Sequence, residues 1–152
     1  MKKLISLLAL YCLTTGVSQA QDKLSQNKSF HGAVATAKSY KAIYQLDTNA
    51  PERIEKAIRN INNLLDDPRL KGKIQVELIA FSKGADAYLK TSGFEEKLIA
   101  LINRGVIVAE CENTLRERKI DKDQLYDFIA YVPSANGELV IRAAAGWSIV
   151  KP

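Results

Sequence analysis

The sequence predicts an α/β protein, a three-layer α/β/α arrangement around a mainly parallel sheet of about five strands with flavodoxin-like layering. Three observations carry this. Strand and helix signals alternate strictly from Lys41 to Val150, the pattern that crossovers between parallel strands produce. The runs Ile74–Phe81 and Val106–Ala109 are nearly continuous apolar residues, as strands covered on both faces must be. Three of the helical runs between strands, beginning near Ile54, Phe94 and Leu139, carry an apolar stripe.

Lys41–Leu46 reads as the first strand. Asp47, Thr48 and Asn49 follow as capping oxygens, and Pro51 suits a first helical turn. Ile54, Ala57, Ile58, Ile61 and Leu65 then recur at helical spacing, with Glu52, Lys56, Arg59 and Asn63 opposite them. After the strand Ile74–Phe81, Ser82-Lys83-Gly84 leads into a short helix running to Leu89. Phe94, Leu98, Leu101 and Ile102 form the next stripe, and Gly105 stops it where a C′ glycine belongs. Beyond Val106–Ala109, Glu112–Arg118 reads as one or two helical turns. Asp121 and Gln124 resemble the capping box of a short helix ending near Phe128. Ile129–Val132 is a strand cut off by Pro133. Ser134–Asn136 start a helix with Leu139, Val140, Ala143 and Ala144 on one side, ending at Gly146. Trp147–Val150 is the last strand.

This domain, residues 41–152, follows two other segments. Lys2 and Lys3 precede an apolar run from Leu4 to Val17, and Ser18 and Ala20 supply the small residues of a cleavage site. Residues 1–20 therefore read as a signal peptide cut after Ala20, which implies a periplasmic or secreted protein with no stable membrane insertion after cleavage. The run is too short and interrupted for a span of ~20 apolar residues. Cys12 leaves with it, so Cys111 has no intramolecular disulfide partner. Residues 21–40 read as a polar arm or linker, with His31 a surface histidine.

The chain has 152 residues, 22 Lys+Arg against 17 Asp+Glu, two cysteines and one histidine. That inventory cannot fill a four-ligand Cys/His zinc site, and a Ser-His-Asp or Cys-His pair would have to use His31. No glycine-rich phosphate motif follows a strand, so no cofactor or metal is expected. Basic and acidic residues are interleaved without an aromatic stripe, which argues against nucleic acid. Arg69, Lys71 and Lys73 read as a solvated corner.

In such sheets chemistry gathers beyond the carboxyl ends of the strands. The candidates there are Asp47–Asn49, Ser82 and Gly84, Glu110–Thr114, and Pro133 with Ser134. Asp47, Glu110 and Glu112 read as solvated loop acids. Cys111 is the informative residue, placed between a buried strand and the helix start at Asn113 and Thr114. Helix N–H groups there favour a thiolate by ~0.3–1 kcal/mol, while Glu110 and Glu112 oppose it if close. Arg116 and Arg118 lie one to two turns further along. A buried structural cysteine is the alternative.

The stretch from Val108 through Cys111, Asn113, Thr114 and Leu115 to Arg118 resembles the cysteine segment of the DsrE/DsrF-like family. Its members are small α/β/α proteins linked to sulfur oxidation and sulfur relay. Val132–Val140, with Gly146 and Trp147, resembles the C-terminus of secreted members, and the likeness spans roughly Lys41 to Pro152. The resemblance implies that Cys111 accepts sulfane sulfur as a persulfide and passes it to the thiol of another protein, with Asn113 and Thr114 as helix-start neighbours. It also implies a homo-oligomer, a trimer or hexamer. Two further readings stand beside it. One is a non-enzymatic oligomeric module that binds a small ligand and keeps Cys111 as filler. The other is a redox sensor that forms a sulfenic acid or mixed disulfide.

Overall fold

The computed structural model describes residues 21–152. The expected leader, its cleavage point and Cys12 lie outside the described residues. Residues 21–28 are helical (α1). There Gln26 donates to Asp22 at 2.9 Å and the Ser29 hydroxyl donates to the Gln26 carbonyl at 2.9 Å. Every side chain of this helix is exposed, so no apolar stripe marks it in the sequence. His31 is exposed as well.

A compact unit, Ala35–Pro152, holds five strands: β1 (Tyr40–Leu46), β2 (Ile74–Ala80), β3 (Ile107–Cys111), β4 (Ala130–Val132) and β5 (Ser148–Val150). All pair in parallel, in the order β4-β3-β2-β1-β5. The first three crossovers step the same way across the sheet, and the fourth carries the chain back from one edge to the other. With right-handed crossovers, that reversal puts the last helix on the opposite face from the others. α2 (Pro51–Asp66), a 3₁₀ helix (Ser82–Tyr88), α3 (Glu95–Asn103) and α4 (Glu112–Arg118) therefore share one layer, and α5 (Ala135–Ala144) forms the other within this unit.

Packing follows the layers. Alternate strand residues such as Tyr44, Leu78 and Val108 join Ile58, Leu98 and Tyr88 in the larger core. Ile43, Ile79, Ala109 and Cys111 face the other way and pack with Leu139 and Trp147 in a smaller one. In α2 the residues Ile54, Ala57, Ile58 and Ile61 are buried, the stripe their spacing predicts. Gly105 adopts φ +86°, and the N–H groups of Gly105 and Val106 donate to the Ile102 and Leu101 carbonyls at 2.8 and 3.1 Å.

Three local expectations are corrected. The turn before α2 offers capping oxygens, but Thr48 Oγ1 accepts from Ala50 N–H at 3.2 Å and Ala50 itself is the N-cap. The Asp121–Gln124 capping box forms, yet it caps only the 3₁₀ turn Lys122–Gln124. Continuation is diverted because Leu125 bridges Leu89 and the Tyr126 N–H donates to the Tyr88 carbonyl at 3.0 Å. On α5 the buried positions are Ala135 and Leu139, while Val140, Ala143 and Ala144 are exposed. One helix over a five-stranded face touches the sheet along a narrow line, narrower than its apolar run.

Candidate functional site

Cys111 is the last residue of β3 and the N-cap of α4. Strand side chains alternate between faces, and the pairing of Cys111 with Val132 on β4 sends its sulfur to the α5 side. There it meets a second helix start. Ser134 caps α5, its hydroxyl accepting from Gly137 N–H at 3.3 Å, and the next N–H, of Ala135, donates to Cys111 Sγ at 3.3 Å. The thiol thus sits between the first turns of α4 and α5.

Burial is the largest influence on this thiol and pushes its pKa up. The N–H groups of Thr114 and Ala135, the Thr114 hydroxyl and the Asn113 N–H together outweigh it, and the thiol ends below its ordinary value. Thr114 is itself held in place. Its Oγ1 accepts from Ser82 N–H at 2.9 Å, which leaves its own proton for the sulfur. Ser82 lies at φ +53°, a strained region for a residue other than glycine, and Arg118 donates to its carbonyl at 2.9 Å. Arg118 also pairs with Asp86 at 2.6 Å.

Although only 4 % exposed, Cys111 lines an open cleft of about 250 Å³ together with Ser82, Asn113, Thr114, Arg118 and Ser134. Two larger hollows, about 460 and 320 Å³, lie near Tyr40 and Ile74 and near Asp47 and Lys151. Neither contains a thiol, so chemistry rather than size marks the smaller cleft. A stabilised thiolate in it can attack an electrophilic sulfur.

Of the residues singled out by sequence, Cys111, Asn113, Thr114 and Ser82 come together. Gly84 does not join them. It packs against β1, where an added Cβ would fall 1.9 Å from the Leu46 carbonyl oxygen. Pro133 is exposed and outside the cleft; it precedes the cap of α5. Glu110 is the main correction. Expected as a solvated loop acid, it is a strand residue 0 % exposed, because β3 continues through it in pairing with Ala80 and Tyr131. Burial raises its pKa to about 9, against the partial pull of the Cys111 N–H. Glu112 is engaged by Lys122 at 2.6 Å, and Arg116 by the Asn113 side chain at 2.6 Å, so Arg116 serves the helix start instead of the sulfur. Ala135 and Asn136 are site residues that sequence reasoning missed. Their signal is Ser134 with Gly137 three residues on, an N-cap facing the strand end.

No cluster of three or more His, Cys, Asp or Glu side chains suited to a metal occurs among the described residues. No helix among them is long and apolar enough to cross a membrane.

Comparison with known proteins places the fold. No protein-family model and no curated protein matches the chain. Among solved structures, a protein of unknown function from Methanobacterium thermoautotrophicum superposes with TM-score 0.71 at 29% identity, covering 75% of this chain and 100% of that one. A conserved protein of unknown function from Bacteroides thetaiotaomicron gives TM-score 0.61 at 10% identity, covering 80% and 100%. At that identity the second likeness concerns the fold alone. The chain is an α/β protein with an all-parallel five-stranded sheet flanked by helices.

Proposed function

We propose that this protein is an exported sulfur-handling protein of DsrE/DsrF-like kind, carrying sulfane sulfur as a persulfide on Cys111. The observation that carries the reading is the Cys111 sulfur on the wall of an open cleft, receiving the Ala135 N–H at 3.3 Å. The depressed thiol pKa and the sequence resemblance support it. In loading, the Cys111 thiolate attacks the outer sulfur of a persulfide donor. A bond forms between the two sulfurs, the donor's S–S bond breaks, and the donor leaves as its thiolate. In unloading, an acceptor thiolate attacks the outer sulfur and Cys111 leaves as thiolate. On this reading Cys12 is removed with the leader and Cys111 is the free cysteine among the described residues, so the acceptor is a thiol on another molecule. Assembly as a homo-oligomer belongs to the same proposal.

Mass spectrometry of Cys111 after exposure to polysulfide and to thiosulfate tests this. A gain of one or more sulfur atoms, removable by a second thiol, is the expected result. An unmodified Cys111 under both donors overturns it. The 4 % exposure of Cys111 favours a second reading, in which the domain is a binding or assembly module and the cysteine fills space. On that reading Cys111→Ser retains every binding property of the wild type.

A further inference from the structure

Glu110 and Cys111 stand back to back at the end of β3. The sulfur looks into the cleft on the α5 side, and the carboxyl looks into the core under α4 and the 3₁₀ helix. Neither carboxyl oxygen has a partner of full hydrogen-bond geometry, an arrangement that costs stability and that packing alone would not retain. The titratable groups coupled to it electrostatically are Asp86 and Tyr88 from the 3₁₀ helix, Arg118 from α4, Tyr131 from β4 and, across the strand, Cys111. Glu77 of β2 points to the other face, where Arg142 of α5 pairs with it at 2.7 Å. The cation in this set, Arg118, is already held by Asp86 and the Ser82 carbonyl.

We propose that Glu110 is a positioning residue for the Cys111 thiolate, kept as an uncharged acid behind the sulfur so that the strand end carries its negative charge on Cys111. Among the described residues the cation acting on Glu110 is Arg118, which Asp86 and the Ser82 carbonyl already engage, so its pull on an ionised Glu110 is only partial. A carboxylate there would repel the thiolate and undo the work of the Ala135, Asn113 and Thr114 N–H groups. Coupling of this sort is reciprocal: the thiolate holds the proton on Glu110, and loss of that proton makes the thiolate more basic. The Coulombic influence of Cys111 on Glu110 runs in that direction. The inference rests on Cys111 being the reactive group of the persulfide reading, but its test needs only the thiol.

The test follows iodoacetamide alkylation of Cys111, resolved by peptide mass spectrometry, from neutral to alkaline pH in the full chain and in Glu110→Gln. Carbon-13 titration of the Glu110 carboxyl, in wild type and Cys111→Ser, is the second arm. We expect a two-step rate profile in wild type and a single step in Glu110→Gln, with neutral-pH rates within about two-fold of each other. The Glu110 carboxyl should titrate lower in Cys111→Ser. A roughly ten-fold faster thiol in Glu110→Gln at neutral pH would mean an ionised Glu110 and overturn the proposal. So would superimposable profiles, or a Glu110 titration unmoved in Cys111→Ser, which decides the matter even if Glu110→Gln fails to fold. Sulfur loading is read in neither arm, so failure of the persulfide reading is distinguishable from failure here.

Discussion

Thr114 and Glu110 act on the same sulfur from opposite sides of the backbone. Thr114 supplies a hydroxyl proton because Ser82 N–H occupies its oxygen at 2.9 Å. Removing that donor in Thr114→Val should raise the thiol pKa and slow Cys111 alkylation at neutral pH by roughly five-fold, the worth of about one hydrogen bond. Thr114→Ser should restore the rate, which loss of packing alone would not predict. Glu110 makes a different prediction, on stability. Its pKa rises from 4.5 to about 9 on folding, so the folded state keeps a proton that the unfolded chain releases. Stability is then fullest below the ordinary carboxyl range and is lost as pH rises towards about 9, at ~1.4 kcal/mol per pH unit. Urea titrations between these limits should show that slope in wild type and a flatter one in Glu110→Gln.

At the level of elements, the pieces that announce themselves locally were legible in the sequence. Ile54, Ala57, Ile58 and Ile61 mark α2, Gly105 ends α3, and Asp121 with Gln124 makes its box, because each depends on residues within one or two turns. What depends on distant pairing was not legible. Glu110 reads as a loop acid until β2 and β4 are set on either side of it. The Ala135 N–H reaches Cys111 across 24 positions of sequence, a meeting that parallel pairing of β3 with β4 arranges. The cysteine itself could be found, since a thiol between an apolar strand and a helix start is a local pattern. Gly84 shows how tight such junctions are. The 3₁₀ helix presses so close to β1 that a Cβ there would lie 1.9 Å from the Leu46 oxygen. Gly84→Ala should destabilise by about 3 kcal/mol or more, since backbone must move, and thermal denaturation will read it.

Across the Ala35–Pro152 unit, the two faces of the sheet are unequally furnished. The larger core carries four helical segments, whereas the smaller one is closed by α5 and Trp147, whose ring is covered by the Arg142 guanidinium at 4.3 Å. Cys111 belongs to the smaller core, so reactivity and stability meet there. Trp147→Ala should cost ~3–5 kcal/mol and also speed alkylation of Cys111, as denaturant titration and thiol trapping on the same sample will reveal. The strand order adds a consequence in time. β5, the last of the described strands, pairs with β1, the first of them, and the helix that shelters the sulfur is synthesised just before it. The side of the sheet that holds Cys111 is therefore covered only by residues made after it, Ala135, Leu139 and Trp147.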